Sequence, residues 1–365
     1  MHGTSDPYSP KSYSRRGQQV SIVEAAILAK ASLERERINS GDDNETVSFD
    51  MVEETPVEEN YTFQLTLPQN TFALDALGDR VIAGSFTKGL DNSIYIVDYQ
   101  HGSLSLTGSI SHGLPASKIL CKPGQSSDQP TLFASTAASL RVWRASDSSE
   151  RKSVITPVTQ LCTSHKVDAF ALTSFDWSAV TSTKIATSAA DSSVAIWDLE
   201  REKLDTQMMA HDKPVMDVAF CGQTDKIIAT VGEDGSLRLF DIRDLEHCSI
   251  LLEDPKPFIR VKWSLGSHAN QVAVMGLDSK VITIVDVRKS GEPACIINLA
   301  TAAESIAWCP KSNLLAVGTR SGALLCDTSL AQVVASLDTD TSGLAWADTD
   351  VLAMTSKRIL QLVTI

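Results

Sequence analysis

Five short apolar strands of this chain end on an aromatic residue at a regular pitch: TSFDW at Trp177, DVAF at Phe220, RVKW at Trp263, SIAW at Trp308 and GLAW at Trp346. Successive steps are 43, 43, 45 and 38 residues, an interval that marks one structural unit copied along the chain. A second series, shifted in phase, keeps the same period: LRVWRAS (Trp143), VAIWDLE (Trp197), LRLFDIR (Phe240), ITIVDVR (Val285) and ALLCDTS (Cys326).

Within each period apolar and polar residues alternate as in half-buried strands, and turn signals such as EDGS at Glu233–Ser236 separate them. Several short strands in a repeat of roughly 40 to 45 residues describe a WD-type β-propeller blade. Upstream, SKILCKPG (Ser117–Gly124) and TFALDALGD (Thr71–Asp79) occupy the same slot without the aromatic, which makes seven blades. The last blade, with GLAWAD, DVLAMTS and RILQLVTI, has three strands of its own. The alternating segment YTFQLTL (Tyr61–Leu67) is expected to supply the fourth by pairing with Arg358–Ile365, closing the ring so that only short, protected sheet edges remain. The reading is an all-β, seven-bladed WD-repeat propeller over residues 61–365, preceded by a mostly disordered tail, 1–60.

At 365 residues and 43% hydrophobic composition the chain can bury such a core, and no second folded domain is needed. There is no apolar run of about 18 residues and no signal-peptide pattern, so the expectation is a soluble intracellular protein of nucleus and cytoplasm. Seven scattered cysteines without a CxxC pair read as reduced thiols, neither disulfides nor zinc ligands. A formal charge of −13 argues against direct nucleic-acid binding and against an anionic membrane surface, and suits protein partners with basic segments.

The tail changes character along its length. Between Asp42 and Glu59 it carries eight carboxylates and no Lys or Arg, the composition of a solvated, self-repelling linker. Residues 22–38 are helix-compatible, with Ile22, Ala26, Ala29 and Leu33 on one stripe. That stripe either docks on a partner or on the propeller, or belongs to a transient helix in a disordered tail. Ser9, before Pro10, is a phosphorylation-compatible site of very low specificity.

The fourth blade is the best preserved. His211, Thr230, Asp234 and Phe240 fall where a WD-type blade places a hydrogen-bonded chain of His, Ser or Thr, Asp and Trp; Phe240 has no indole donor, so this chain is expected to stop one member short. The third blade keeps Thr187, Asp191 and Trp197 at the same spacing, with His165 somewhat too far upstream. The fifth has Asp278 but Val274 and Val285 at the other places, and the sixth has neither Asp nor Trp. Both are expected to be held by apolar packing alone. A satisfied buried network explains His211 and Asp234 without catalysis. No G-x-S-x-G elbow, phosphate-binding loop or metal-spaced His or Cys cluster occurs, so no cofactor is called for and the chain reads as a non-enzyme. Strand alternation assigns Asp212, Lys213, Glu233 and Ser236 to one rim, a candidate client surface, and Arg243 and Arg288 to the other.

The segments AHDKPVMDVAF, VGEDGSLRLFDIRDLEHCSILLEDP, LRVWR at Leu140–Arg144 and LTSFDW at Leu172–Trp177 resemble the WD-repeat family of the plant transparent testa glabra protein and the animal AN-eleven-type scaffold, which includes a factor associated with cullin-4 ubiquitin ligases. The resemblance runs from about Thr71 to Ile365 and is most specific in the middle three blades. It implies a non-enzymatic scaffold whose clients are Myb-type or helix-loop-helix transcription factors or dual-specificity kinases. Residues Ile228–Arg243 also look like the box that docks WD proteins on the cullin-4 adaptor, with Asp234, Phe240, Asp241 and Arg243 at its specified positions and the arginine making the contact; VDVR at Val285–Arg288 is a poorer copy. The alternative is that Arg243 pairs with Asp241 or Asp244 on the surface. The family pattern has an Asp- and Trp-containing blade near the C-terminus where this chain has RSGALLCDTS, and it lacks the acidic tail. A second function, a substrate receptor of a cullin-4 ubiquitin ligase, would need Arg243 exposed and a client on the opposite rim; a third, a lactonase-type propeller hydrolase, would need several oxygen ligands converging on a metal in the central channel, where SKILC, MDVAF and SIAW offer mostly apolar residues and few carboxylates.

Overall fold

The computed structural model describes residues 62–365 except 101, 127–128, 149–151, 163–170, 266–268 and 290. The tail, its helix-compatible stretch, Ser9 and His165 lie outside the described residues. Twenty-eight strands form seven four-stranded antiparallel sheets. Strand β1 (Thr62–Thr66) precedes the first blade, which holds β2 (Thr71–Leu77), β3 (Arg80–Ser85), β4 (Asn92–Gln100) and β5 (Ser103–Gly113). The second blade holds β6 (Lys118–Cys121), β7 (Thr131–Thr136), β8 (Leu140–Asp147) and β9 (Ser153–Leu161). The third comprises β10 (Leu172–Trp177), β11 (Lys184–Ala189), β12 (Ser193–Asp198) and β13 (Lys203–Met209). In the fourth are β14 (Val215–Phe220), β15 (Ile227–Gly232), β16 (Ser236–Asp241) and β17 (Asp244–Glu253). The fifth contains β18 (Phe258–Trp263), β19 (Gln271–Gly276), β20 (Val281–Asp286) and β21 (Cys295–Asn298), and the sixth β22 (Ala303–Trp308), β23 (Leu314–Thr319), β24 (Gly322–Asp327) and β25 (Gln332–Leu337). The last sheet has the order β1, β28 (Ile359–Thr364), β27 (Val351–Ser356), β26 (Gly343–Asp348).

The expected closure is therefore present: Thr62 opposes Val363 and Thr66 opposes Ile359 across five paired positions. Because β28 runs from the rim of the second-to-third-strand loops toward the opposite rim, this register puts Thr62 on the rim that also carries Arg243 and Arg288.

The second strand of each blade explains the sequence pattern. RVIAGS, KIATSA, IIATVG, QVAVMG and LLAVGT each bury five successive residues, because both sheet faces are covered by neighbouring blades. Seven hydrophobic clusters fill the seven interfaces between adjacent blades. The period-setting aromatics belong to these interfaces, all at most 8% exposed. Their indoles need an acceptor once buried. Trp308 donates to the Lys262 carbonyl and Trp346 to the Ala307 carbonyl, each reaching back to the innermost strand of the preceding blade. Trp177 and Trp263 donate instead to the loops that follow them, at Ser182 and Ala269.

All seven cysteines are free thiols. Burial pushes the Cys326 thiol up to about 12, so it stays protonated at neutral pH.

Candidate functional site

Three places gather polar side chains: the two rims and the central channel. On the rim of the second-to-third-strand loops, the fourth blade assembles around His211, whose side chain is fully buried. Nδ1 lies 2.9 and 3.0 Å from the two Asp234 carboxylate oxygens and Nε2 lies 2.8 Å from Thr230 Oγ1. A carboxylate only accepts, so these partners assign the proton to Nδ1 and make Nε2 the acceptor of the threonine hydroxyl. Asp234 also accepts from the Ser236 amide and hydroxyl and from the Asp212 amide. Burial raises its pKa, but Ser236 and then His211 outweigh that and hold it at about 2, while burial lowers that of His211. Gly235, at φ +75°, makes the turn; a side chain there would run into the Asp254 carbonyl.

The chain ends at Thr230, since Phe240 offers no donor. In the third blade Trp197 Nε1 donates to Thr187 Oγ1 at 2.9 Å, and Asp191 caps the Ser193 amide and hydroxyl. Sequence reasoning missed the second blade's version. His112 Nε2 and Trp143 Nε1 meet on Ser135 Oγ at 2.9 and 2.8 Å. It is hidden because Ser135 precedes its Trp by eight residues, where Thr187 precedes its Trp by ten. Arg238 was also missed. It reaches the Ala210 carbonyl, Ser236 Oγ, Asp234 and Asp212, as Arg141 of the second blade reaches the His112 carbonyl. A signal existed, since Ser-Leu-Arg recurs at 139–141 and 236–238.

Asp212, Lys213 and Glu233 are exposed on this rim, but Ser236 is not a client surface: it is 3% exposed and its hydroxyl belongs to the histidine network. Nor are the fifth and sixth blades held by apolar packing alone. Thr319 Oγ1 donates to the Gly322 carbonyl and accepts from the Gly322 and Ser321 amides, and the fifth blade receives a buried carboxylate described below. His211→Ala is expected to cost about 2–3 kcal/mol, because Thr230 and Asp234 lose a buried partner. Both folded pKa values lie below the unfolded ones, so this network's stability is full above about 6.5, falls as His211 is forced to take a proton, and falls again below about 3.8 as Asp234 does. Denaturant midpoints for wild type and His211→Ala at pH 8, 6 and 4 test this; the difference between the two proteins must shrink toward acid.

On the opposite rim, Arg243 Nε and Nη2 form a fork on the Asp241 carboxylate, with Nε 2.9 Å from Oδ1. Arg288 forms the same fork on Asp286, with Nε also at 2.9 Å. The two arginine side chains are 66% and 65% exposed. Each aspartate also caps the main-chain amide of its arginine. Arg243 holds Asp241, and Arg288 holds Asp286, at a pKa of about 2.

The central channel, about 330 Å³, is lined by the innermost strands. Asp75 and Asp176 line it, and Asp217 is buried on the innermost strand of the fourth blade. Asp75 accepts from the Cys121 amide, Asp176 from the Phe220 amide and Asp217 from the Val261 amide, each stapling its blade to the next. Asp217, fully buried, also accepts from Lys118 Nζ of the second blade at 3.1 Å and from Ser174 Oγ of the third. Burial raises the pKa of Asp217, but Lys118, Arg260 and Lys262 outweigh it and hold it below the usual carboxylate value. Among the described residues no three His, Cys, Asp or Glu side chains are grouped to hold a metal ion.

The WD domain, G-beta repeat family matches residues 202–241, from β13 of the third blade to β16 of the fourth. The sequence repeat thus straddles two blades. The chain is 33% identical over 261 residues to the DDB1- and CUL4-associated factor 7 homolog of Dictyostelium discoideum, covering 68% of this chain and 78% of that protein. It is 30% identical to an uncharacterized WD repeat-containing protein of Schizosaccharomyces pombe, covering 56% of this chain and 52% of that one. A WD repeat-containing protein of Saccharomyces cerevisiae is also 30% identical, over 67% of this chain and 53% of its own length. The chain spans about half the length of both yeast relatives.

Proposed function

We propose that this chain, which belongs to the WD-repeat family of the DDB1- and CUL4-associated factor 7 homolog, is a protein-interaction adaptor that docks on cullin-4 ligase machinery through Arg243 and Arg288 and holds clients on its opposite rim. The observation that carries the docking half is the duplicated fork. Two adjacent blades present an arginine on the same rim, each fixed by its own aspartate yet about two thirds exposed. An arginine held in place loses less freedom on binding, and its remaining N–H groups match a partner carboxylate or carbonyl. The exposed pair with Asp241 is weak in itself, so a partner can compete for the guanidinium without unfolding anything.

The client half rests on the other rim, where Arg238 ties exposed Asp212 to the histidine network and so fixes a charged edge flanked by Lys213 and Glu233. The clients we propose are transcription factors of Myb or helix-loop-helix type, or dual-specificity kinases, in the nucleus and cytoplasm. The reading is non-enzymatic, because the titratable groups at the blade-four rim are engaged in one another's hydrogen bonds.

Affinity purification of the tagged protein from its own cells tests both halves. Arg243→Ala with Arg288→Ala is expected to remove the cullin-4 adaptor while leaving the thermal midpoint unchanged and the clients bound. A chain starting at Glu59 should keep both. If the adaptor is absent from wild type, or survives the double substitution, docking by these arginines is wrong; if transcription factors and kinases are absent while the adaptor remains, the client assignment is.

A further inference from the structure

Six charged side chains line the channel, and five have partners among the described residues: Lys118 with Asp217, Asp75 and Asp176 with main-chain amides, Arg260 with the Ile259 carbonyl, and Glu304 with Arg320. Lys262, on β18, is the sixth. No hydrogen bond or ion pair of its ammonium exists among the described residues. Its surroundings disfavour the charged form: burial, then the ammonium of Lys118, lowers its pKa, against the pull of Asp217, Asp176 and Asp75, and leaves it at about 8. A desolvated lysine beside a second cation is the environment that makes an amine a nucleophile at neutral pH.

We propose that the central channel is a binding site for small aldehydes, which Nζ of Lys262 captures as an imine. The neutral amine's lone pair attacks the carbonyl carbon while the C=O π electrons move to oxygen, which takes a proton. Loss of water from the resulting carbinolamine then gives C=N, so that amine and aldehyde become imine and water with no change of oxidation state. The dehydration needs a group that gives and takes protons near neutrality. Asp75 faces the same channel, its carboxyl raised by burial to about 6. The channel's volume of about 330 Å³ suits a molecule of a few heavy atoms.

The full chain is incubated with acetaldehyde and cyanoborohydride, which reduces the imine to a stable N-ethyl group, and the modified lysines are read by peptide mass spectrometry. At pH 7.5 Lys262 is expected to be modified at least about tenfold faster than exposed Lys256 and Lys289, because a lowered pKa leaves far more of it neutral. Its rate should level off with a midpoint near pH 8. Lys118→Met should move that midpoint upward, and Lys262→Arg should leave the channel unlabelled. Labelling of Lys262 no faster than Lys256, or a rate still climbing at pH 10, overturns the proposal. Should Lys118→Met fail to fold, the wild-type pH profile alone decides.

Discussion

Asp217→Ala is expected to destabilise the propeller by about 4 kcal/mol, the range in which removing one partner of a buried ion pair falls. The substitution strands two groups in different blades. The Lys118 ammonium loses the carboxylate 3.1 Å away, and the amide of fully buried Val261 loses the Asp217 oxygen that accepts from it. It also removes the acceptor of the Ser174 hydroxyl, so contacts from the second, third and fifth blades vanish together. For a domain of this size the thermal midpoint should fall by about 10 °C. Asp217→Asn keeps an acceptor but not the charge and is expected to lie between. Pairing Asp217→Leu with Lys118→Met should recover most of the loss, because neither member of the ion pair is then left without its partner. A single-substitution loss below about 1 kcal/mol would mean that the channel is wet enough to solvate Lys118 without help. Since Asp217 has a lowered folded pKa, its contribution is complete above about pH 3.8 and disappears as pH falls below it.

The blades were legible in the sequence because the interval between aromatics and the two-residue alternation are both local signals, and the closing strand because YTFQLTL alternates where the last blade lacks a partner. The blade-four network was legible for the same reason: His211, Thr230 and Asp234 sit at family spacing within 24 residues. What was not legible depends on residues brought together around the axis. Asp217 meets a lysine 99 positions upstream, and in MDVAF it looks like an ordinary polar residue of an alternating strand. Periodicity does not expose the inter-blade staples either. Asp176 stands one residue before its terminal aromatic and Asp217 three before, so the same device occurs at two registers. Ser236 was misassigned because its rim is exposed on average, while the turn at Gly235 aims its hydroxyl inward at His211. Lys262 in RVKW has the position of an ordinary polar residue beside Trp263, and only the closed ring places it in the channel.

A chain beginning at Pro68, which lacks β1, is expected to lose cooperative folding, whereas one beginning at Glu59 should unfold like the full chain. The contrast follows from where β1 sits. Among the described residues its five paired positions cover the outer edge of β28, so their removal leaves a row of unpaired main-chain groups on the blade where the ring closes. Side chains go with them. Leu67 is fully buried, and Phe63 packs on Tyr99 of the first blade at a ring separation of 4.8 Å, so the deletion also opens the interface between the seventh and first blades. Leu67 and Arg358 exchange hydrogen bonds that lock the end of the strand, the Leu67 amide to the Arg358 carbonyl at 2.6 Å and Arg358 Nε to the Leu67 carbonyl at 2.9 Å. A ring differs from an open sheet in that each blade is supported on both sides; with one interface weakened, the first and seventh blades become ends, and local opening can start there. The shortened chain should therefore show a broad unfolding transition in denaturant, with lower m, and should aggregate through the bared β28 edge at micromolar concentration. Adding the peptide Tyr61–Pro68 in excess should sharpen the transition, since it restores the strand by addition to the free edge. A sharp, wild-type transition for the chain beginning at Pro68 would mean that the seven interfaces hold the ring shut without the strand that closes it.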